Sequence, residues 1–226
     1  MIVTIVKAIK YIFNKILSKK NIYIINSNCA YTPINNLDLN YLDYVRLATL
    51  DLIANEITDK NIEGAVAELG VYKGKFARYI NATFSTRKFY LFDTFEGFEA
   101  KDIVIENEKK FGNATQNFSN TSVSAVLAIM PYKENCIVKK GYFPDTATGL
   151  QEKFAFVSLD TDLYEPIYNG LNYFYDKLTP GGYIFVHDYN NINYKGAKEA
   201  LRKFCTERSI GYTPIPDAYG TAIITK

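Results

Sequence analysis

Two apolar runs in the second half of the chain each end in a cluster of acidic residues, and this pattern constrains the fold more than any other. The first run, residues 156–159, is followed by Asp160 and Asp162, and the second, residues 181–186, is followed by His187 and Asp188. Apolar runs of this length are typical of buried parallel strands. Because ligands bind outside the carboxyl ends of the strands in an open α/β sheet, we expect these four side chains to meet at one edge.

Three carboxyl groups and an imidazole cannot be gathered at one edge without a compensating charge. Uncompensated carboxylates would repel one another or stay protonated. A divalent cation with oxygen-rich ligands is the simplest group that would hold them together. The pattern therefore predicts a metal site among these residues.

Strand and helix patterns alternate along the chain. Strands are predicted at residues 64–69, 89–92, 135–138, 154–159, 182–187, 210–214 and 221–225, and helices at 42–57, 75–84, 122–130, 166–178 and 195–205. This alternation predicts a doubly wound, mostly parallel, seven-stranded Rossmann-like α/β sheet with helices on both faces. Residues 41–226 form one predicted domain, and residues 1–40 form an amphipathic helix and an irregular segment. Residues 103–120 lack clear periodicity and are predicted to be an insertion or lid.

Charge and rare residues exclude several classes of function. A net charge of +2 with no basic stripe argues against a nucleic-acid partner. The three cysteines, Cys29, Cys136 and Cys205, are widely spaced and odd in number, which favours free thiols in a reducing cytoplasm. His187 is the single histidine, so a His-rich metal site and a triad with a second histidine are excluded.

The first residues of the chain have the spacing of an amphipathic helix. Apolar residues recur at helical intervals from residue 2 to 17, but Lys7, Lys10 and Lys15 interrupt them, so no membrane span is predicted. One interpretation is a basic helix that lies on a membrane surface, with contact through residues 1–20. The other is a helix packed on its own domain or on a second subunit. We favour packing, because amphipathic helices are common in soluble proteins.

A glycine-containing turn follows the first predicted strand. Glu68 precedes Gly70 and Gly74 there, and Asp93 ends the next strand. Glycine allows close backbone approach to a ligand, and a helix N-terminus offers free N–H groups. The dinucleotide fingerprint G-x-G-x-x-G is absent, but a carboxylate at the position of Asp93 can accept both ribose hydroxyls. The turn predicts a nucleoside ligand such as S-adenosylmethionine, whose ammonium group suits Glu68; the alternative is a packing glycine and a capping acid.

With these residues placed, the chain resembles the macrocin O-methyltransferase (TylF/MycF) family. This family comprises class I, S-adenosylmethionine-dependent enzymes that methylate sugar hydroxyls. The matching segments are residues 67–74, 92–98, 141–146, 159–164 and 181–189. They occur in order with sensible spacing, and an ordered set is far more specific than any one motif.

The resemblance implies a class I methyltransferase fold, S-adenosylmethionine as cofactor and a sugar or glycoside acceptor. The acceptor would belong to a surface polysaccharide or a nucleotide-linked precursor, and the enzyme would be a homo-oligomer. The implied cofactor-binding residues are Glu68, Gly70, Tyr72, Gly74, Asp93, Thr94, Phe95, Gly141 and Asp160.

The resemblance also implies catalytic and metal-binding roles. Asp160, His187 and Asp188 would bind a divalent metal, Mg²⁺ or Mn²⁺, and Asp162 would be the general base. The family usually has two adjacent aspartates where this chain has His187 and Asp188. Imidazole is neutral and softer, so the site loses a negative charge and favours a transition metal over magnesium. Alternatively, His187 acts as a base or the metal is absent.

Two other functions fit parts of the sequence. Asp160 and Asp162 form the D-x-D pattern of metal-dependent glycosyltransferases, which bind nucleotide-sugar diphosphates. That interpretation gives no role to the glycine turn or to Asp93. The second alternative is a catalytically inactive methyltransferase homologue that binds cofactor without turnover, and His187 at an expected aspartate favours it.

Overall fold

The computed structural model describes residues 9, 11–13, 15–16 and 44–226. The chain divides into two compact units, Met1–Thr32 and Pro33–Lys226. In the first unit the described residues are helical, as predicted, and the predicted boundary at residues 40 and 41 lies outside the described residues. Among the described residues, no helix has both the length and the apolar character needed to cross a bilayer.

The second unit contains seven strands in one sheet. They are β1 (Ala65–Leu69), β2 (Phe89–Asp93), β3 (Cys136–Lys140), β4 (Phe154–Leu159), β5 (Leu178–Val186), β6 (Thr213–Ile215) and β7 (Thr221–Thr225). The order across the sheet is β3-β2-β1-β4-β5-β7-β6. The first five strands pair in parallel, and β7 is antiparallel to both of its neighbours. The predicted seven-stranded, mostly parallel sheet is confirmed.

Helices cover both faces of this sheet. They are α1 (Tyr44–Asp59), α2 (Lys75–Thr83), α3 (Ala100–Glu108), α4 (Val123–Ala128), α5 (Tyr164–Lys177) and α6 (Gly196–Arg208). Strand β1 is buried on both sides: Ala67 and Leu69 pack in the core formed with α5 and α6, whereas Val66 packs in the core formed with α1 and α2. A strand with two buried faces forms a continuous apolar run, which is why the sequence identified this strand.

The predicted irregular insertion at residues 103–120 begins as a helix, so that prediction was wrong for its first part. Helix α3 buries two acidic residues, Asp102 and Glu106, on the side that faces the rest of the domain. Because acids occupy buried positions, the apolar periodicity that identifies a helix is missing. The Glu106 side chain is 0% exposed, and its Oε2 accepts a hydrogen bond of 3.0 Å from the backbone N–H of Tyr164, the first residue of α5.

Glu106→Gln should lower the free energy of unfolding by about 1–3 kcal/mol, because the amide weakens a charge-assisted bond to the N-terminus of α5 in a buried place. Urea unfolding measures this as a lower midpoint with an unchanged slope. The control is Glu108→Gln at an exposed position of the same helix, which should change the free energy by less than about 0.5 kcal/mol. Equal effects of the two substitutions would contradict a structural role for Glu106.

Candidate active site

A cavity of about 410 Å³ opens at the carboxyl ends of the central strands. Asp160 and Asp162, which follow β4, line it together with His187 and Asp188, which follow β5. The structure therefore brings together the four side chains that the sequence predicted to meet. The cavity also reaches Glu68 at the end of β1, so the glycine turn and the acidic cluster belong to one site.

The two glycines of the turn have different surroundings. Gly70 has φ +89°, and a Cβ there would overlap the backbone carbonyl of Asp160, so only glycine allows β1 and β4 to end this close together. Gly74 has φ +72° and faces the side chains of Val126 and Met130, outside the residues that line the cavity. Gly70 therefore shapes the cavity, whereas Gly74 allows helix packing.

The carboxylate of Asp93 holds two turns together. Its Oδ2 accepts the backbone N–H groups of Val71 and Tyr72 at 2.7 and 2.8 Å, and its Oδ1 accepts that of Phe95 at 2.7 Å. An ionised carboxylate has about four acceptor positions, so the chain's own backbone fills most of them. The sequence predicted that this carboxylate accepts both ribose hydroxyls, which stays a prediction. In the structure Asp93 fixes the loops after β1 and β2.

The other predicted cofactor residues divide into two groups. Tyr72, Thr94 and Gly141 line the cavity. Phe95 does not, because its side chain is buried in the core beside α1 and α2. Tyr72 also contacts the segment that was predicted to be a lid: its hydroxyl donates a 2.7 Å hydrogen bond to Oδ1 of Asn120. That segment thus forms part of the cavity wall.

His187 lies between two carboxylates. Its Nδ1 is 3.0 Å from Oδ1 of Asp160 and 3.1 Å from Oδ2 of Asp188, and its Nε2 is 3.1 Å from the carbonyl oxygen of Ala218. A carbonyl oxygen only accepts, so Nε2 carries a hydrogen and donates it. Burial and the charge of Arg46 lower the pKa of His187, but the two carboxylates prevail and raise it to about 10.

The same three residues fit a divalent cation. One ligand atom each from Asp160, His187 and Asp188 can be chosen so that all lie within 4.8 Å of one another. The hydrogen bond from Nε2 to a backbone carbonyl is the outer contact that commonly orients a metal-binding histidine, and it leaves Nδ1 to face the cation. Two carboxylate oxygens and one imidazole nitrogen suit Mn²⁺ or a later transition metal better than Mg²⁺.

Asp162 binds a proton more tightly than an exposed aspartate does. Burial and the charges of Asp188 and Asp160 raise its pKa well above that of an exposed aspartate. Its backbone is left-handed, with φ +60°, as is that of Asp188 with φ +59°. Non-glycine residues in this conformation are uncommon and cluster at functional sites, where the surrounding fold holds them in place.

Arg46 is a site residue that the sequence analysis missed. It extends from α1, is 5% exposed, and places Nη1 and Nη2 each 3.1 Å from Oδ2 of Asp160. Burial would raise the pKa of Asp160, but the charges of His187 and Arg46 hold it well below its usual range. The available signal was spacing: Arg46 shares the buried stripe of α1 with Leu50 and Ile53. A cation on an apolar stripe indicates a buried partner.

Glu68 is the most deeply buried acid of the cavity. It is 1% exposed, and its Oε2 has no hydrogen-bond partner in the described part of the chain. Burial and the charge of Asp160 raise its pKa well above the usual range. A buried acceptor of this kind is costly unless a ligand satisfies it, and an amino group would do so.

Loop residues complete the cavity wall. They include Phe98, Gln116, Phe118, Tyr142, Phe143, Asn191, Asn193 and Tyr219. Most of them lie outside the strands and helices, where no periodicity marks a residue as inward-facing. The sequence therefore could not identify them as a group.

The family profile described as Macrocin-O-methyltransferase (TylF) matches residues 35–223. A curated protein of Streptomyces olivaceus, the 8-demethyl-8-(2,3-dimethoxy-alpha-L-rhamnosyl)-tetracenomycin-C 4'-O-methyltransferase, is 24% identical over 156 residues. That alignment covers 64% of this chain and 60% of the relative's length.

Two solved structures share the fold. The O-methyltransferase NovP has a TM-score of 0.62 at 21% identity, with 80% of this chain and 79% of NovP covered. The calicheamicin methyltransferase CalS11 has a TM-score of 0.63 at 20% identity, with 78% of this chain and 77% of CalS11 covered. Both extend over most of the seven-stranded sheet domain.

Proposed function

Because the chain belongs to the macrocin O-methyltransferase family, we propose that it is an S-adenosylmethionine-dependent O-methyltransferase acting on a sugar hydroxyl. The observation that carries this proposal is the single cavity that joins the turn at Gly70 to the acidic cluster at Asp160. Family membership argues against the glycosyltransferase alternative.

The cavity offers suitable partners to each polar part of the cofactor. When bound, S-adenosylmethionine supplies an electrophilic methyl group on its sulfonium. The buried Oε2 of Glu68 would accept from the ammonium group. The remaining acceptor capacity of Asp93 would bind a ribose hydroxyl. Tyr72, Thr94 and Gly141 line the cavity near these residues and would close around the ligand.

Asp160, His187 and Asp188 would hold a divalent cation, which would supply Lewis acidity to the reaction. Asp162 accepts the acceptor's proton, because its neighbours make it a stronger base than an exposed aspartate. His187 is the weaker candidate for this role, since both of its ring nitrogens already have partners. Orientation of the acceptor hydroxyl can supply roughly 7–11 kcal/mol of the rate acceleration.

The acceptor is best sought among deoxysugar glycosides and nucleotide-linked sugars. The name of the Streptomyces relative describes methylation of a tetracenomycin that carries a rhamnosyl group. Phe98, Phe118 and Tyr219 supply aromatic surface to the cavity wall. Such surface suits the apolar C–H face of a sugar ring, while the acidic cluster suits its hydroxyls.

Calorimetric titration with S-adenosylhomocysteine, followed by methyl transfer from labelled S-adenosylmethionine to rhamnosides and nucleotide-linked sugars, tests the proposal. Micromolar one-to-one binding and transfer to a sugar hydroxyl would support it. A folded protein that does not bind S-adenosylhomocysteine would overturn it. Binding without transfer to any member of the panel would favour an inactive homologue.

Asp188→Asn should weaken Mn²⁺ binding by at least about tenfold, because the substitution removes a charged oxygen ligand from the cluster. Titration of the chelator-treated protein with Mn²⁺ alone measures this effect. The control is Asp59→Asn at the exposed end of α1, which should bind Mn²⁺ as the unsubstituted protein does. Identical affinities of the two variants would remove Asp188 from the metal site.

A further inference from the structure

The helix near the start of the chain exposes its apolar side chains. Ile9, Ile12, Phe13 and Ile16 are 50%, 56%, 51% and 64% exposed, respectively. Their spacing of i, i+3, i+4 and i+7 places all four on one face of a helix. The face is therefore contiguous, and a contiguous exposed apolar surface marks an interaction site.

The sequence around this face is strongly basic. Residues 1–37 contain five lysines, Lys7, Lys10, Lys15, Lys19 and Lys20, and all acidic residues of the chain follow them. An apolar helix face in a lysine-rich sequence without acids is the combination found in helices that lie in the membrane interface. Each lysine near an anionic lipid surface strengthens binding by about fivefold.

The sequence alone favoured packing for the helix that contains residues 9, 11–13, 15 and 16, but its apolar side chains are exposed. We propose that this helix binds the surface of a membrane that contains anionic lipids, with its apolar face inserted below the headgroups. An anionic membrane suits both the apolar face and the lysine-rich sequence, because acyl chains cover the isoleucines and Phe13 while lipid headgroups neutralise the lysines. A second copy of the chain covers only the apolar face. An isologous contact would bring the same lysine-rich sequences of both copies together, where like charges repel.

Flotation of the full chain with phosphatidylcholine vesicles, with and without phosphatidylglycerol, tests the proposal. We expect binding to the anionic vesicles, at least tenfold weaker binding to phosphatidylcholine alone, and weakening as salt is raised. The double variant Ile12→Asn, Phe13→Asn should lose at least tenfold in affinity, because burial of the two side chains supplies much of the attachment.

The matched control is Tyr11→Asn, which changes an exposed aromatic residue on the other side of the same helix and should bind within about twofold of the unsubstituted chain. Equal unfolding midpoints in urea establish that the second unit is intact in each variant. Two results overturn the proposal: no flotation of the unsubstituted chain with anionic vesicles, and equal flotation of the double variant. If the unsubstituted chain does not bind vesicles but forms a dimer, and only the double substitution dissociates that dimer, the face binds a second copy of the chain instead.

Discussion

Asp162→Asn should lower kcat for methyl transfer by about a hundredfold to ten-thousandfold while leaving the affinity for S-adenosylhomocysteine unchanged. Asn has nearly the shape of Asp but cannot accept a proton at neutral pH. Burial and the charges of Asp188 and Asp160 raise the pKa of Asp162, so this position holds a stronger base than solvent does. Its loss removes an interaction that exists only as the proton moves, and KM should change little.

Single-turnover rates and calorimetric titration with S-adenosylhomocysteine separate chemistry from binding in this variant. Asp59→Asn, at an exposed position, is again the control and should have the unsubstituted rate. His187→Gln provides a second comparison. In that variant a lower rate should be accompanied by weaker Mn²⁺ binding, whereas Asp162→Asn should bind Mn²⁺ as the unsubstituted protein does. An unchanged kcat in Asp162→Asn would show that another group accepts the proton.

The sheet could be predicted because its central strands are buried on both faces. Strands such as β1 and β4 must be apolar throughout, and the chain must become polar where each strand ends at the cavity. The same rule identified Asp160, Asp162, His187 and Asp188 together, since side chains that follow adjacent parallel strands share one edge. Backbone geometry alone was enough for this part of the site.

The parts that were missed depend on polar groups in buried positions. Helix α3 was predicted to be irregular because Asp102 and Glu106 face inward. Arg46 was missed because a single basic residue among apolar ones does not change the predicted buried face of α1. Periodicity assigns polar residues to the surface. Their burial is decided by partners far away in the sequence, such as Tyr164 for Glu106 and Asp160 for Arg46.

The glycine turn shows a second limit, which concerns backbone hydrogen bonds. Gly70, Gly74, Asp93 and Phe95 were all predicted to contact the cofactor because they lie in two motifs at adjacent strand ends. A motif does not distinguish a residue that touches a ligand from one that shapes the loop beside it. In the structure Gly74 packs against α4, and Asp93 accepts three backbone N–H groups. The two motifs therefore lie at one end of the sheet, but only some of their residues, such as Gly70 and Asp93, line the cavity.

Arg46→Met should lower the free energy of unfolding by about 3 kcal/mol, because it leaves the carboxylate of Asp160 in a largely buried place with fewer compensating groups. Arg46 is 5% exposed, and its guanidinium makes two 3.1 Å contacts with Asp160 and lies 3.7 Å above the ring of Phe76. Methionine fills much of the volume, so a cavity contributes little to the loss. Chelator-treated protein should be used, so that a bound metal does not stabilise either form.

A double-mutant cycle with Arg46→Met and Asp160→Asn isolates the pair from the contact with Phe76. The matched control is a cycle on Arg208 and Asp176, which also form an ion pair, at 2.8 Å, but with side chains 37% and 62% exposed. The surface pair should couple by less than about 1 kcal/mol, and the buried pair by clearly more. A coupling no larger than that of the surface pair would mean that His187 alone compensates Asp160. In that case Arg46 contributes packing against Phe76 and does not set the charge of the candidate metal site.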